Sequence, residues 1–245
     1  MPDETPRHKV CLAYTFNSEI DLIGCKLAIE RSHEAEIYLN GIPVTNKSNG
    51  WYVDKAIHTV PLPQLKQGAN ELKIRMPFSQ RTNLELTYIL GSFGVSSNLS
   101  TITKLPMNLE FGDITRQGLP FYTGNIHYTM KFNTDKQGDV FIQVPHYAGT
   151  ALMFLLEGVE RGIAAYAPHA LKIKDIPKGR HNLEIILLGN RYNGFGNLHN
   201  ANDEYMWYGP DSFRTKGDEW CDGYRLRPVG ILSRVEIYQS SRTPG

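Results

Sequence analysis

Leu62 to Met76 reads LPQLKQGANELKIRM, and Ile173 to Leu187 reads IKDIPKGRHNLEIIL. Overlaid, Gly68 falls on Gly179, Leu72 on Leu183, Ile74 on Ile185 and Met76 on Leu187, an offset of 111 residues. In each copy a turn leads into alternating apolar and polar positions, the pattern of a half-buried strand. Working outward, Tyr38-Leu39-Asn40-Gly41 has a counterpart in Leu155-Leu156-Glu157-Gly158, and Gly91-Ser92-Phe93-Gly94 is matched to Asn193-Gly194-Phe195-Gly196. Solenoid repeats run to roughly 20–50 residues, so a period this long reads as a duplicated domain. Two related modules in tandem suit binding or scaffolding better than a single catalytic site.

The rest of the chain follows the same pattern. Val10–Phe16, Cys25–Glu30, Ala35–Leu39, Trp51–Val53, Ala56–Val60, Asn70–Met76 and Leu84–Leu90 read as antiparallel strands, with Asn40-Gly41 as a hairpin turn. Ser96–Met107 is polar and rich in Ser and Thr, which puts the boundary there and divides the chain into modules at 1–100 and 101–245. Asn125–Phe132, Asp139–Val144, Ala151–Leu156, Leu171–Ile173, Asn182–Leu188, Tyr224–Leu226 and Ile231–Tyr238 are the strands expected in the second. Helical spacing of apolar residues is not sustained over three turns anywhere, so the fold class is all-β, each module a sandwich of two sheets. The second module alone carries a long loop over 197–223, and its aromatics argue for an ordered one.

Composition excludes several classes. The 26 basic and 25 acidic residues leave a net charge of +1 without long runs of either sign, which leaves nothing to attract nucleic acid or anionic membrane. No apolar run approaches the ~18–20 residues of a spanning helix, so a soluble protein is expected. The N-terminus MPDETPRHK lacks the basic start and apolar core of a secretory signal, which points to the cytoplasm or to a piece of something longer. Cys11, Cys25 and Cys221 form no metal spacing and read as reduced, buried thiols, a Cys11–Cys25 bridge being the alternative.

Trp51-Tyr52-Val53-Asp54, Gly68-Ala69-Asn70-Glu71-Leu72, Leu84-Glu85 and Leu90-Gly91-Ser92-Phe93-Gly94-Val95, in this order, resemble the first of two galactose-binding-like β-sandwiches that accompany glycoside hydrolases. Gly118-Leu119-Pro120-Phe121-Tyr122-Thr123-Gly124, Asn193–His199 and Trp207-Tyr208-Gly209-Pro210 resemble the second. The resemblance covers nearly the whole chain. It implies two tandem jelly-roll sandwiches forming a non-catalytic carbohydrate-binding or scaffolding region of a glycoside hydrolase-type protein, with a glycan ligand, a catalytic domain or subunit as partner and no cofactor. The chain departs from such enzymes in having no room for a (β/α) barrel, and from its own first copy in placing His181 where Asn70 stands.

Sugar rings pack their C–H faces on aromatic rings and exchange hydrogen bonds with amides, carboxylates, guanidinium groups and imidazoles. Arg191, Tyr192, Asn193, Asn197, His199, Trp207, Tyr208 and Trp220 supply that mixture and are the candidate ligand-binding residues. The competing reading has Trp207 and Trp220 pinning the loop and Asn197 satisfying turn backbone; Trp51 and Tyr52 read as the start of a buried strand. Asp203, Glu204, Asp211, Asp218, Glu219 and Asp222 could supply a hydrolytic pair, but on one loop they read as solvated acids, and no catalytic residue is assigned. With Asn200 they could hold a structural calcium. The enzymatic alternative is a free-standing β-sandwich lyase or hydrolase with His199, Tyr205, Asn197 and Arg191 at its site.

Overall fold

The computed structural model describes every residue except 1–5, 7, 80, 81, 83, 85, 203, 205, 207, 208, 210, 211 and 240–245. The chain is nearly all β and divides into two compact units, Met1–Met107 and Asn108–Gly245.

The first unit contains β1 (His8–Ser18), β2 (Lys26–Glu30), β3 (Glu36–Leu39), β4 (Ile42–Val44), β5 (Gly50–Tyr52), β6 (Asp54–Pro61), β7 (Gly68–Phe78), β8 (Tyr88–Leu90), β9 (Gly94–Val95) and β10 (Thr101–Thr103). They form one sheet in the order β4-β3-β7-β1-β10-β9 and another in the order β5-β6-β2-β8. Alternation along β7 turns Leu72 and Ile74 inward, where they meet Leu27, Ile29 and Val60 from the other sheet. Among the described residues of this unit all pairings are antiparallel except β1 with β10, which is parallel and holds the segment just past residue 100 in this unit.

The second unit contains β11 (Ile126–Thr134), β12 (Gly138–Gln143), β13 (Tyr147–Ala148), β14 (Ala151–Leu156), β15 (Val159–Ala164), β16 (Ala170–Ile176), β17 (Gly179–Leu188), β18 (Gly230–Ile231) and β19 (Glu236–Gln239). Its sheets run β11-β17-β14-β15, β16-β12-β19 and β13-β18. Its own core gathers Phe154, Leu183 and Ile185 against Val140, Ile142 and Ile173.

The strand orders correspond. β15-β14-β17-β11 repeats β4-β3-β7-β1, and β16-β12-β19 repeats β6-β2-β8. Register carries the match to single residues. Tyr14 faces Leu72 and Met130 faces Leu183; Leu39 faces Leu72 and Leu156 faces Leu183. Both hairpins turn through two left-handed residues, Asn40 (φ 51°) with Gly41 (φ 78°), and Glu157 (φ 52°) with Gly158 (φ 74°), the two-residue loop that suits strand twist.

Several expectations need correction. Gly91–Gly94 follows β8, whereas Asn193–Gly196 precedes β19, the counterpart of β8, so this pair of motifs is not equivalent. Tyr224–Leu226 forms no strand, and Ile231–Tyr238 is split into β18 and β19 because Ser233 turns back to bond His146. Of the three free thiols only Cys25 is buried, in the core, and burial pushes it up to about 11. Cys11 is exposed because it sits beside inward-facing Leu12 on β1 and so points the opposite way, which precludes a bridge to Cys25.

Candidate functional site

The long connection between β17 and β19 is built around asparagine side chains. A single helical turn, α1 (Tyr192–Phe195), ends at Gly196, where a Cβ would stand 2.5 Å from the Tyr192 carbonyl oxygen. Asn193, 2% exposed, donates from Nδ2 to the Arg227 carbonyl (2.8 Å) and accepts the Arg227 N–H (2.9 Å). Asn200, 1% exposed, makes the same pair of bonds with the Ser212 carbonyl (3.0 Å) and the Arg214 N–H (2.9 Å). Each amide satisfies backbone that no strand ladder reaches, which orders the loop without regular structure.

Asn197 lies between these two in sequence, 3% exposed, and its Oδ1 has no hydrogen-bond partner among the described residues. Buried acceptors are almost always paired, so an unpaired one marks a place for water or a ligand hydroxyl.

Two residues further along the chain an aromatic row begins at His199. His199 stacks on Trp220 with centroids 4.3 Å apart and planes 16° apart, and Tyr224 leans on its ring at 4.7 Å. Phe121 meets Tyr224 edge-on at 5.0 Å. Backbone holds the row in place: Cys221 N–H donates to His199 O (2.7 Å), Arg225 N–H to Leu198 O (2.6 Å), and His199 Nδ1 bonds the Cys221 carbonyl (2.9 Å). That last bond places the proton on Nδ1 and leaves Nε2 as an acceptor in the neutral ring. Trp220 Nε1–H donates to Asp222 Oδ1 (2.7 Å), which fixes the indole plane. Trp220 and Tyr224 remain 38% and 42% exposed.

The sequence candidates therefore separate. His199 and Trp220 come together. Tyr192 is buried beneath the Arg227 guanidinium, 3.9 Å from its ring, and Asn193 is spent on backbone, so both brace the loop. Arg191 is exposed at the start of α1. Trp207, Tyr208 and Tyr205, with Asp203 and Asp211, lie outside the described residues. Sequence reasoning missed Tyr224, Phe121 and Asp222 as members of the row; the spacing Trp220-x-Asp222-x-Tyr224 carried the signal. Of the loop acids, Asp222 holds Trp220 and Glu219 lies 3.8 Å from Arg214. Among the described residues no three His, Cys, Asp or Glu side chains converge as a metal site.

No protein-family model and no curated protein matches the sequence. Among solved structures the chain is similar to a rhamnosidase from Novosphingobium sp. PP1Y, at 16% identity and a TM-score of 0.39, over 93% of this chain and 22% of that one. It is also similar to a Pleurotus ostreatus lectin in its apo form, at 9% identity and a TM-score of 0.26, over 75% of this chain and 68% of the lectin. The same lectin in complex with GalNAc matches at 8% identity and a TM-score of 0.26, over 74% of this chain and 68% of the lectin. The chain thus spans 22% of the rhamnosidase's length.

Proposed function

We propose that the chain is a non-catalytic carbohydrate-binding region, two galactose-binding-like jelly-roll sandwiches descended from one duplicated unit, and that it serves a catalytic domain acting on glycans. The second unit binds a neutral saccharide at Trp220. The observation that carries this reading is the indole itself: one face lies on His199, its N–H is tied to Asp222, and 38% of the residue stays open to solvent. An aromatic ring held in a fixed plane at the surface meets a sugar's C–H face with little entropy left to lose. Asp222 and His199, which hold the indole, and Tyr224, which packs on His199, carry polar groups suited to sugar hydroxyls. A sandwich fold alone hosts spacers as readily as binders, so the function rests on this site.

Calorimetric titration of the whole chain with galactose, rhamnose and galactotetraose tests the proposal. A saturable isotherm is expected for at least one, weakened about tenfold by Trp220→Ala, in line with the ~0.5–1.5 kcal/mol typical of a well-placed aromatic contact. Flat traces for all three, or binding indifferent to both Trp220→Ala and Tyr224→Ala, would remove it.

A further inference from the structure

Asparagine is followed by glycine at Asn40-Gly41, Asn49-Gly50 and Asn193-Gly194. With no Cβ on the next residue to obstruct it, that residue's backbone nitrogen can reach the asparagine Cγ and close a five-membered imide. The side chain must turn onto the backbone and give up its amide, and the fold sets this differently at the three positions.

Two of them are locked. Asn40, half-buried at the β3–β4 hairpin, donates from Nδ2 to Asn70 Oδ1 (2.8 Å) and accepts the Glu71 N–H (2.8 Å). Asn193 is 2% exposed and both ends of its amide are bonded to Arg227 backbone. The Gly194 N–H that would attack it donates instead to the Arg191 carbonyl (3.2 Å) at the start of α1.

Asn49 differs in exposure and in its leaving group. It stands exposed immediately before β5, and its Nδ2, the group that must depart, has no hydrogen-bond partner among the described residues. Its Oδ1 accepts the Thr59 hydroxyl at 2.9 Å, a donor placed where negative charge develops when Cγ is attacked. The attacking Gly50 N–H bonds the Ser48 hydroxyl at 3.3 Å, a long contact to a neighbouring side chain.

We infer that Asn49 is a site of spontaneous covalent modification, the position at which this chain ages. The Gly50 nitrogen attacks Asn49 Cγ, a C–N bond forms, the Cγ–Nδ2 bond breaks, and the proton from the attacking nitrogen leaves with the amide as ammonia. Water then opens the imide on either side, to aspartate or to isoaspartate; the net change consumes one water and releases one ammonia, with no oxidation or reduction. Isoaspartate carries the main chain through the side-chain methylene and so adds a backbone atom just ahead of Gly50. β5 is an edge strand, held by β6 in a register that sets Gly50 against Thr59 and Trp51 against His58, and the added atom releases it. This inference stands apart from the saccharide-binding reading.

Incubating the whole chain in mildly alkaline buffer, then mapping its peptides with an isoaspartate-specific methyltransferase as the probe, tests it. In the folded chain Asn49 is expected to convert at least tenfold faster than Asn40 or Asn193, and unfolding in denaturant is expected to bring those two up to its rate. Asn49→Gln, which disfavours the ring closure, should stop the acidic form from accumulating. The isoaspartyl form, isolated by ion exchange, is expected to lose amide protection along β5, whereas freshly purified Asn49→Asp, with the same charge and an ordinary main chain, keeps it. A folded chain in which Asn49 stays intact, or in which Asn40 or Asn193 converts as fast, overturns the site. Equal protection in the isoaspartyl form and in Asn49→Asp overturns the release of β5.

Discussion

Asn70 and His181 do the same work with different chemistry. Asn70 Nδ2 donates to the Lys66 carbonyl at 2.7 Å, and His181 Nε2 meets the Pro177 carbonyl at 2.9 Å, at corresponding positions before β7 and β17. Asn70 also accepts the Lys66 N–H at 3.0 Å. Pro177 has no N–H to satisfy, so a side chain that only donates there suffices. The divergence at this position is explained by turn backbone rather than by a ligand.

The hairpin beside it yields a pH prediction. Asn40 Oδ1 accepts the Glu71 N–H, and Glu157 Oε1 accepts the Asn182 N–H, both at 2.8 Å. The side-chain bond from Asn182, then its backbone bond, holds the Glu157 carboxyl below the usual carboxylate range, with a smaller contribution from His181. A depressed folded-state value means that the stabilisation is present above the unfolded carboxylate range near ~4.3 and is lost as pH falls through the folded value. Amide exchange, corrected for intrinsic rates, should show Asn182 losing protection on acidification while Glu71 keeps it. Glu157→Asn should abolish the difference.

Thiol reactivity should follow burial. At pH 8 a disulfide reagent is expected to modify Cys11 in the native chain and to leave Cys25 untouched until denaturant is added, because only the thiolate reacts and burial raises Cys25 to about 11. Peptide mapping after a short exposure reads this directly.

Two glycines should differ sharply. At Gly230 (φ 139°) a Cβ would stand 2.1 Å from the Gly112 carbonyl oxygen, whereas at Gly158 (φ 74°) it would meet open space. Gly230→Ala is expected to cost on the order of 3 kcal/mol, and Gly158→Ala about 1 kcal/mol. Denaturant melts of both variants make the comparison.

Phe154 is fully buried at the centre of the second core. Phe154→Ala should cost about 3–5 kcal/mol, and heteronuclear NMR spectra should show the second unit's resonances perturbed while the first unit's core signals stay in place.

The sequence carried the framework because period-two alternation records which face of a strand is buried, and β7 and β17 state it without interruption. Asn40-Gly41 was legible as a turn because the left-handed geometry it needs is chemically specific; Glu157-Gly158 was legible only as its copy. The aromatic row was half visible. Trp220 and His199 stand out by residue type, but Tyr224 reaches them through bonds between Arg225 and Leu198 and between Cys221 and His199 that follow no periodicity. Asn193 looked like a sugar ligand for the same reason that it serves as a brace: a planar amide bonds a backbone as well as a hydroxyl.

One connection separates the copies most. Residues 79–87 join β7 to β8, and residues 189–235 join β17 to β19, across the same place in the topology. The end of the long one enters the second core through Val229 and Ile231, whereas the stretch before it is held by the amides of Asn193 and Asn200. Changes ahead of Val229 leave the cores untouched, so kin of this chain should diverge in that stretch long before they diverge in architecture.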